Sequence, residues 1–494
     1  MRLAWHTYKY FPYERELAAR EVSALLDPSL TREVKTGLEV EGACEDLAAA
    51  RLTYFSAAIN GRGLQQTVQS RLEEAARSGK NRQATRYSVH GLHEYKGKFN
   101  PQVARALLNI FGVQESQRVL DPFCGSGTTL VECAHLGAIG VGADINPLAI
   151  YIANAKLLAL RTPAAEFQRI FERLSQRSVG SNVAARPRKT DPLREYLASW
   201  FDTPILETIE ESRAVIEQVA GSLAPVFLTI ASDLLRDYSQ QDPNDLRIRR
   251  RKSPLPEEPF WQAFLDAVQP FINRLLAAQS VVGINGNASE AIQLDVAHLS
   301  RDRGNQSFDA AITSPPYAMA LPYIDTQRLS LVWLNLLPSD RILEKESELI
   351  GSREMRGEAK RDLPTQLVSN AAGLPAAEAQ LCTDLLDALG PNDGFRRQAV
   401  PALLYRYFAA MKGSFHSVRT VIKPGAPYGL IVGHNHSTIG GVRRDIDTPS
   451  HLANLAVSAG WQLDELIPLQ TYRRYGYHVS NAVAAETLIL LRAA

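Results

Sequence analysis

The chain has 494 residues, enough for two domains or for one large decorated one. An apolar share of 45% and a charged share of 22% are those of an ordinary globular protein, with no internal repeat or long low-complexity tract. A formal net charge of +1 excludes a global basic excess, so nucleic-acid contact would have to rest on local patches.

Residues 1–90 read as an N-terminal helical extension, because residues 14–26 and 64–78 carry apolar side chains at helical spacing. The opening run Tyr8-Lys9-Tyr10-Phe11-Pro12-Tyr13 is expected to join a sheet or pack against it. Stacking on nucleic acid is the other use such a run has.

Residues 91–160 hold the first elements of an α/β sheet. The run from Val119 to Thr129, Val-Leu-Asp-Pro-Phe-Cys-Gly-Ser-Gly-Thr-Thr, reads as a strand, a glycine-rich turn and a helix start. Gly125 and Gly127 permit positive φ and close approach of the backbone to a ligand. Neither a phosphate loop nor a Gly-x-Gly-x-x-Gly turn is present. A second strand, residues 138–144, ends in Asp144, whose carboxylate can accept from both hydroxyls of a ribose. The ligand this implies is an adenosine without an obligatory phosphate. Cys124 reads as a small packing residue and not as a nucleophile.

Residues 161–285 read as a helical insertion, with helices over 204–222, 225–238 and 260–280. Its most basic run holds Arg247, Arg249, Arg250, Arg251 and Lys252, suited to phosphate contacts or to a solvated face. Residues 286–317 return to the sheet, with strands near 291–294 and 308–312. The second strand runs into Thr313-Ser314-Pro315-Pro316-Tyr317. Proline fixes φ and removes the backbone donor, so a Pro-Pro pair holds the loop extended and leaves carbonyls free to accept. The Ser314 oxygen and the Pro315 carbonyl can both accept from one exocyclic amino group, and Tyr317 can stack on the ring that carries it. Those parts hold a flipped-out base.

Residues 318–399 form a second insertion whose middle, 351–378, reads as loop. Residues 400–494 complete the sheet, with a helix over 401–421 and strands at 428–433 and 487–492. The loop from Tyr472 to His478, with Arg473 and Arg474, either lines the base pocket or lies on the surface. His434 and His436 read as a polar loop. The cysteines Cys44, Cys124, Cys133 and Cys382 lack metal-ligand spacing and fit a reducing compartment, and no metal is expected. The first residues show no secretory pattern, no apolar run is expected to approach membrane-spanning length and no membrane partner is expected, so cytoplasm is the default.

Taken in order, these segments resemble the S-adenosylmethionine-dependent amino-methyltransferases of DNA, which modify N4 of cytosine or N6 of adenine. The resemblance spans residues from about 90 to 317, and the four motifs in one order carry it. It implies an α/β fold: a Rossmann-like methyltransferase sheet with helices on both faces, two large mostly helical insertions and an N-terminal extension. It implies a cofactor site of Asp121, Pro122, Phe123, Cys124, Gly125, Ser126, Gly127, Thr128, Thr129, Asp144, Ile145, Asn146 and Thr313. The segment from His93 to Pro101 resembles the piece over the methionine part of the cofactor, through Lys98, Phe99 and Pro101. Asp295 stands where the family meets the adenine, and Ser314, Pro315, Pro316 and Tyr317 form the catalytic tip. A serine at the first tip position favours N4 of cytosine over N6 of adenine, by analogy with the family. Double-stranded DNA is the expected partner, with both insertions as candidates for target recognition, 161–285 for backbone contacts and 318–399 as a second DNA-facing element near the base pocket, and with a cognate restriction endonuclease or defence subunit beside it. An RNA amino-methyltransferase and a non-catalytic DNA-binding subunit are the competing readings.

Overall fold

The computed structural model describes residues 1–42, 45–76, 83–95, 97, 99–180, 192–243, 245, 248–286, 288–299, 307–319, 324–470 and 485–494. Lys98, Arg247, Arg473, Arg474 and the loop from Tyr472 to His478 lie outside the described residues.

The first sheet of the chain is antiparallel and five-stranded, in the order β2-β3-β1-β4-β5. Its strands are β1 (Arg2–Trp5), β2 (Leu30–Val34), β3 (Gly37–Glu41), β4 (Phe55–Asn60) and β5 (Gly63–Gln66). This corrects the helical reading of residues 1–90. Two-residue turns, Lys35-Thr36 and Gly61-Arg62, close hairpins that helical periodicity does not reveal. At Gly37 an added Cβ would lie 1.7 Å from the Leu3 carbonyl oxygen, so the crossing of β1 and β3 admits only glycine there. The helix Pro12–Leu26 is present as read, whereas residues 64–78 divide between β5 and the helix Val68–Glu74. The aromatic run is internal. Tyr8, Tyr10 and Tyr13 are buried, and the Tyr8 and Tyr10 rings stack at 4.9 Å.

The main sheet has seven strands in the order β13-β14-β10-β9-β6-β7-β8. They are β6 (Arg118–Asp121), β7 (Ile139–Asp144), β8 (Glu290–Gln293), β9 (Ala310–Thr313), β10 (Pro427–Gly433), β13 (Trp461–Gln470) and β14 (Ala485–Ala493). A hairpin of β11 (Asn435–Ile439) and β12 (Val442–Ile446) follows β10. The strands from β10 to β8 are parallel, and β14 runs antiparallel between β10 and β13. The order reverses between β6 and β9, the place where open α/β sheets bind ligands at their carboxyl ends. This is the Rossmann-like α/β fold expected from the sequence. Central strands buried on both faces need unbroken apolar runs, and Val119, Leu120, Ala311 and Ile312 are fully buried.

One face of the sheet packs on the helix Pro101–Ile110, which shares a core with Leu17 and Val22 of the N-terminal unit. The other packs on the helix Val400–Val421. The first insertion packs around Phe167, Phe227, Phe264 and Phe271, in a core it shares with Leu148 and Ile152 of the helix Pro147–Leu160 and with Leu331 and Trp333 of the second insertion. Within it, Thr203–Leu234 is long and apolar enough to cross a membrane, correcting the expectation that no run reaches that length. Its apolar window is 61% buried in this core, and the turn Gly221–Leu223 divides it into two helices. The middle of the second insertion is helical and not loop, with helices Gly357–Ser369 and Ala376–Asp387. Tertiary packing overrides the polar composition there: Leu363, Leu367, Cys382 and Leu385 bury against Leu404 and Phe408.

Behind the sheet lies a fully buried charge network. The Glu132 carboxylate accepts from the Tyr87 hydroxyl at 2.8 Å, pairs with His90 at 2.6 Å and takes Arg105 at 3.2 Å. His135 Nδ1 lies 3.3 Å from it. Burial alone would raise this carboxyl, yet the two histidines hold it well below the usual carboxylate range. His90, Glu132 and His135 offer ligand atoms within 4.8 Å of one another, but the Arg105 cation already shares the carboxylate. Replacing Glu132 by Gln removes the carboxylate that pairs with the buried Arg105 and is expected to cost about 3–5 kcal/mol in denaturant unfolding. Burial pushes His90 down to about 4, so the folded protein keeps it neutral. Its contribution is present above the unfolded pKa of about 6.5 and is lost as pH falls toward 4. A His90→Gln variant should lose less stability than wild type across that window.

Candidate active site

Four strand ends meet at the switch point. β6 ends in Asp121, β7 in Asp144, β8 leads to Asp295, and β9 leads to Ser314. Between them lies a cleft of about 280 Å³. Of the residues named from sequence, Phe99, Pro122, Phe123, Gly125, Asp144, Ile145, Asn146, Asp295 and the tip from Ser314 to Tyr317 line it.

Asp121 does not line the cleft but holds its parts together. One carboxylate oxygen accepts from the Thr129 hydroxyl at 2.6 Å, at the start of the helix Thr128–His135. The other accepts from the Thr313 hydroxyl at 2.6 Å and from the Phe123 amide at 3.2 Å. Burial pushes its carboxyl up to about 6 against the pull of these bonds. Ser126 also turns away from the cleft. Its carbonyl and hydroxyl take the buried Lys156 ammonium at 2.8 and 3.1 Å. Cys124 packs below the turn: a Cβ at Gly142 would lie 2.6 Å from the Cys124 Cβ. Burial raises its thiol well above the usual range, as suits a packing residue. Pro101, Gly127 and Thr128 likewise shape the turn and helix starts without lining the cleft.

Asp144 accepts from the Gly125 amide at 2.9 Å through one oxygen and from the Asn146 amide at 2.8 Å through the other. Each oxygen has a second lone pair, so the carboxylate retains acceptor capacity on its cleft side. Burial raises its carboxyl, and the backbone donors oppose that shift. Asp295 caps the turn Val296–His298 by accepting from the Ala297 amide at 2.9 Å.

At the tip, the Ser314 hydroxyl donates to the Ile431 carbonyl of β10 at 3.0 Å. Its proton is thereby committed to the sheet, and its lone pairs remain as acceptors. The Tyr317 hydroxyl donates to Glu486 of β14 at 2.5 Å. Tyr95 and Gly97 of the His93–Pro101 segment and Leu294 of the strand before Asp295 also line the cleft, and Glu486, Val296 and the stretch Glu348-Leu349-Ile350 do so without having been named from sequence. Glu486 stood one residue before the closing strand read at 487–492, where an acid entering a sheet end was the signal. Nothing in the polar stretch around Glu348 marks it out. The cleft is acidic, with Asp144, Asp295, Glu348 and Glu486 and no lysine or arginine among the described lining residues.

The basic run of the first insertion is largely engaged with protein. Arg249 pairs with Asp245 at 3.1 Å, and Arg250 lies over Trp200 and donates to the Ser199 carbonyl. Arg251 donates to the Asp237 and Ser239 carbonyls, while Lys252 is exposed. His434 Nδ1 lies 3.2 Å from Asp447.

Comparison with known proteins places part of the chain in context. The family model "UPF0020: RMKL-like, methyltransferase domain" matches residues 92–159, the segment from the His93 run through the turn and Asp144. The chain is 23% identical over 272 residues to the type II methyltransferase M.BsoBI of Geobacillus stearothermophilus, covering 50% of this chain and 53% of that protein. It is 23% identical over 409 residues to M.AvaI of Nostoc sp., covering 76% and 80%. Over 52 residues it is 46% identical to a tRNA (guanine(10)-N2)-dimethyltransferase of Methanothermobacter thermautotrophicus, covering 10% and 16%. The chain thus spans about half the length of the first of these relatives. Fold and matches together support a methyltransferase.

Gly351 sits under the tip at φ +79°, and a Cβ there would lie 2.3 Å from the Tyr317 carbonyl oxygen. Gly351→Ala is expected to lower stability by about 1–3 kcal/mol and to shift the Tyr317 ring. Thermal unfolding and tyrosine spectra would record the two effects.

Proposed function

We propose that the protein transfers a methyl group from S-adenosylmethionine to the exocyclic amino group of a base flipped out of DNA, N4 of cytosine before N6 of adenine. The observation that carries this reading is the acceptor-only tip beside an acidic cleft. Phosphate-rich nucleotides suit such a cleft poorly, whereas a sulfonium and an α-amino group suit it well. Asp144 and Asp295 would hold the ribose and adenine ends, with Phe123 and Ile145 on the apolar faces. When bound, the cofactor would supply an electrophilic methyl group and be left as a neutral thioether, and the methylated nitrogen would release one of its two amino protons to solvent.

The chain's own work is to prepare a poor nucleophile. The amine lone pair is delocalised into the base ring. Acceptance of both amino hydrogens by Ser314 Oγ and the Pro315 carbonyl favours a pyramidal nitrogen, which resembles the transition state more than the ground state. The tip fixes the plane of the base, and such positioning supplies much of an acceleration. Glu486 holds the Tyr317 hydroxyl, so the ring presents a fixed face for stacking. The type II methyltransferase relatives favour DNA as substrate, in a restriction-modification or defence setting with a partner nuclease. A second reading, methylation of an amine in RNA, draws on the short match to the tRNA dimethyltransferase.

Nucleoside mass analysis of DNA from cells expressing the protein tests the proposal. N4-methylcytosine is expected with the wild type, and Ser314→Ala should lower it at least about a hundredfold. N6-methyladenine would change the base and keep the chemistry, while marks in RNA alone would overturn DNA as substrate. Glu486→Gln keeps a hydrogen-bond acceptor and should reduce turnover by about tenfold or less in single-turnover kinetics, with cofactor affinity unchanged.

A further inference from the structure

The second insertion carries a cationic face beside the cleft that the chemistry above does not use. Leu349 and Ile350 line the cleft, and Gly351 lies against the Tyr317 carbonyl. Two residues further, Arg353 donates from Nε to the Met319 carbonyl at 2.7 Å. Arg406 fixes this stretch by donating to the Ser352 and Glu354 carbonyls. Arg396 stands near enough to Arg353 for the two charges to repel, which adds to the effect of burial in lowering the Arg353 guanidinium. Lys360 Nζ lies 5.0 Å from the centre of the Phe395 ring. That ring is 69% exposed, carried on the short helix Phe395–Gln398 together with Arg396. Lys360 and Arg396 are exposed, Arg353 keeps solvent-facing surface although its guanidinium is partly covered, and among the described residues none of the three forms an ion pair with a carboxylate. In the run from Arg249 to Arg251, Arg249 is paired with Asp245, and Arg250 and Arg251 donate to backbone carbonyls as Arg353 does.

We propose that Arg353, Lys360, Phe395 and Arg396 form the surface that docks the sugar-phosphate backbone of duplex DNA beside the target base. The inference rests on the methyltransferase reading and names the part of its substrate that this face holds. Two arginines that repel each other in the free protein are both stabilised by one anion between them. An acidic cleft repels a polyanion, so the backbone must pass outside it while only the uncharged base enters. A cationic rim next to the tip meets that requirement. The exposed Phe395 ring offers an apolar face to a sugar or to a base at the opened step. With a formal charge of +1 on the whole chain, attraction to DNA has to come from such a patch.

The test is fluorescence anisotropy of a labelled duplex with the full chain, titrated at several salt concentrations, alongside calorimetry of S-adenosylmethionine binding. Lys360→Ala and Arg396→Ala should each make the slope of log K against log salt shallower by about 0.9. Phe395→Ala should weaken binding about fivefold or more at every salt concentration with the slope unchanged. Unchanged cofactor affinity in all three reports an intact cleft. Wild-type slope and affinity in both charge variants would overturn the docking surface, even if DNA is methylated. Slope losses in a protein that binds duplex but methylates no base would keep the surface and overturn the proposed activity. Binding of a structured RNA in place of the duplex, with the same slope losses, would overturn DNA as the occupant.

Discussion

The candidate site depends on one buried carboxylate. Asp121 ends the strand at the switch point, and its two oxygens gather the turn, the first helix and the neighbouring strand end. Without it the glycine-rich turn and the Ser314 tip would be separate loops on adjacent strands. With it they are one rigid object, and their separation is set by hydrogen bonds of 2.6 Å. Such a carboxylate is costly to bury, and its raised pKa is the measure of that cost. The fold accepts the cost because three donors from three directions are satisfied by the same group.

Around this centre, charge is divided by location and not by total. Acids line the cleft, arginines and a lysine face outward on the second insertion, and the sum over the chain is +1. A near-neutral protein can therefore present opposite signs to two parts of one ligand. Glu132 and Arg105 repeat the principle in the interior, where a charge is tolerated because each partner is matched within hydrogen-bond distance.

The parts of this arrangement that were legible in the sequence are those governed by local rules. The strand, turn and helix around Asp121, the acid at the end of β7, and the Pro-Pro tip each follow from a few adjacent residues. The helices of the first insertion were legible because apolar spacing repeats over several turns. What was hidden depends on distant partners. No local pattern says that Asp121 and Ser126 turn inward, since Thr313 and Lys156 decide it from elsewhere in the chain. The N-terminal sheet was hidden because its strands are short and two-residue turns define it, while helical spacing dominates the neighbouring stretch. The helices of the second insertion were hidden because their few apolar residues bury only against Val400–Val421. Glu486 joins the cleft through sheet closure, which brings β14 beside β10.

The hydrogen bond from Ser314 to the Ile431 carbonyl has one more consequence. A hydroxyl is ordinarily ambivalent, donor to one ligand and acceptor to another. Here the sheet has already claimed its proton, and the prolines beside it have none to give. The tip is thus a one-way gate in hydrogen-bond polarity. A base edge that brings an amino group finds two waiting lone pairs. A base edge that brings a keto oxygen to the same place, as thymine or uracil does, meets oxygen against oxygen. Under the proposed function, rejection of the wrong pyrimidine would be written into the backbone of β10, more than a hundred residues from the tip in sequence and one strand away from it in space.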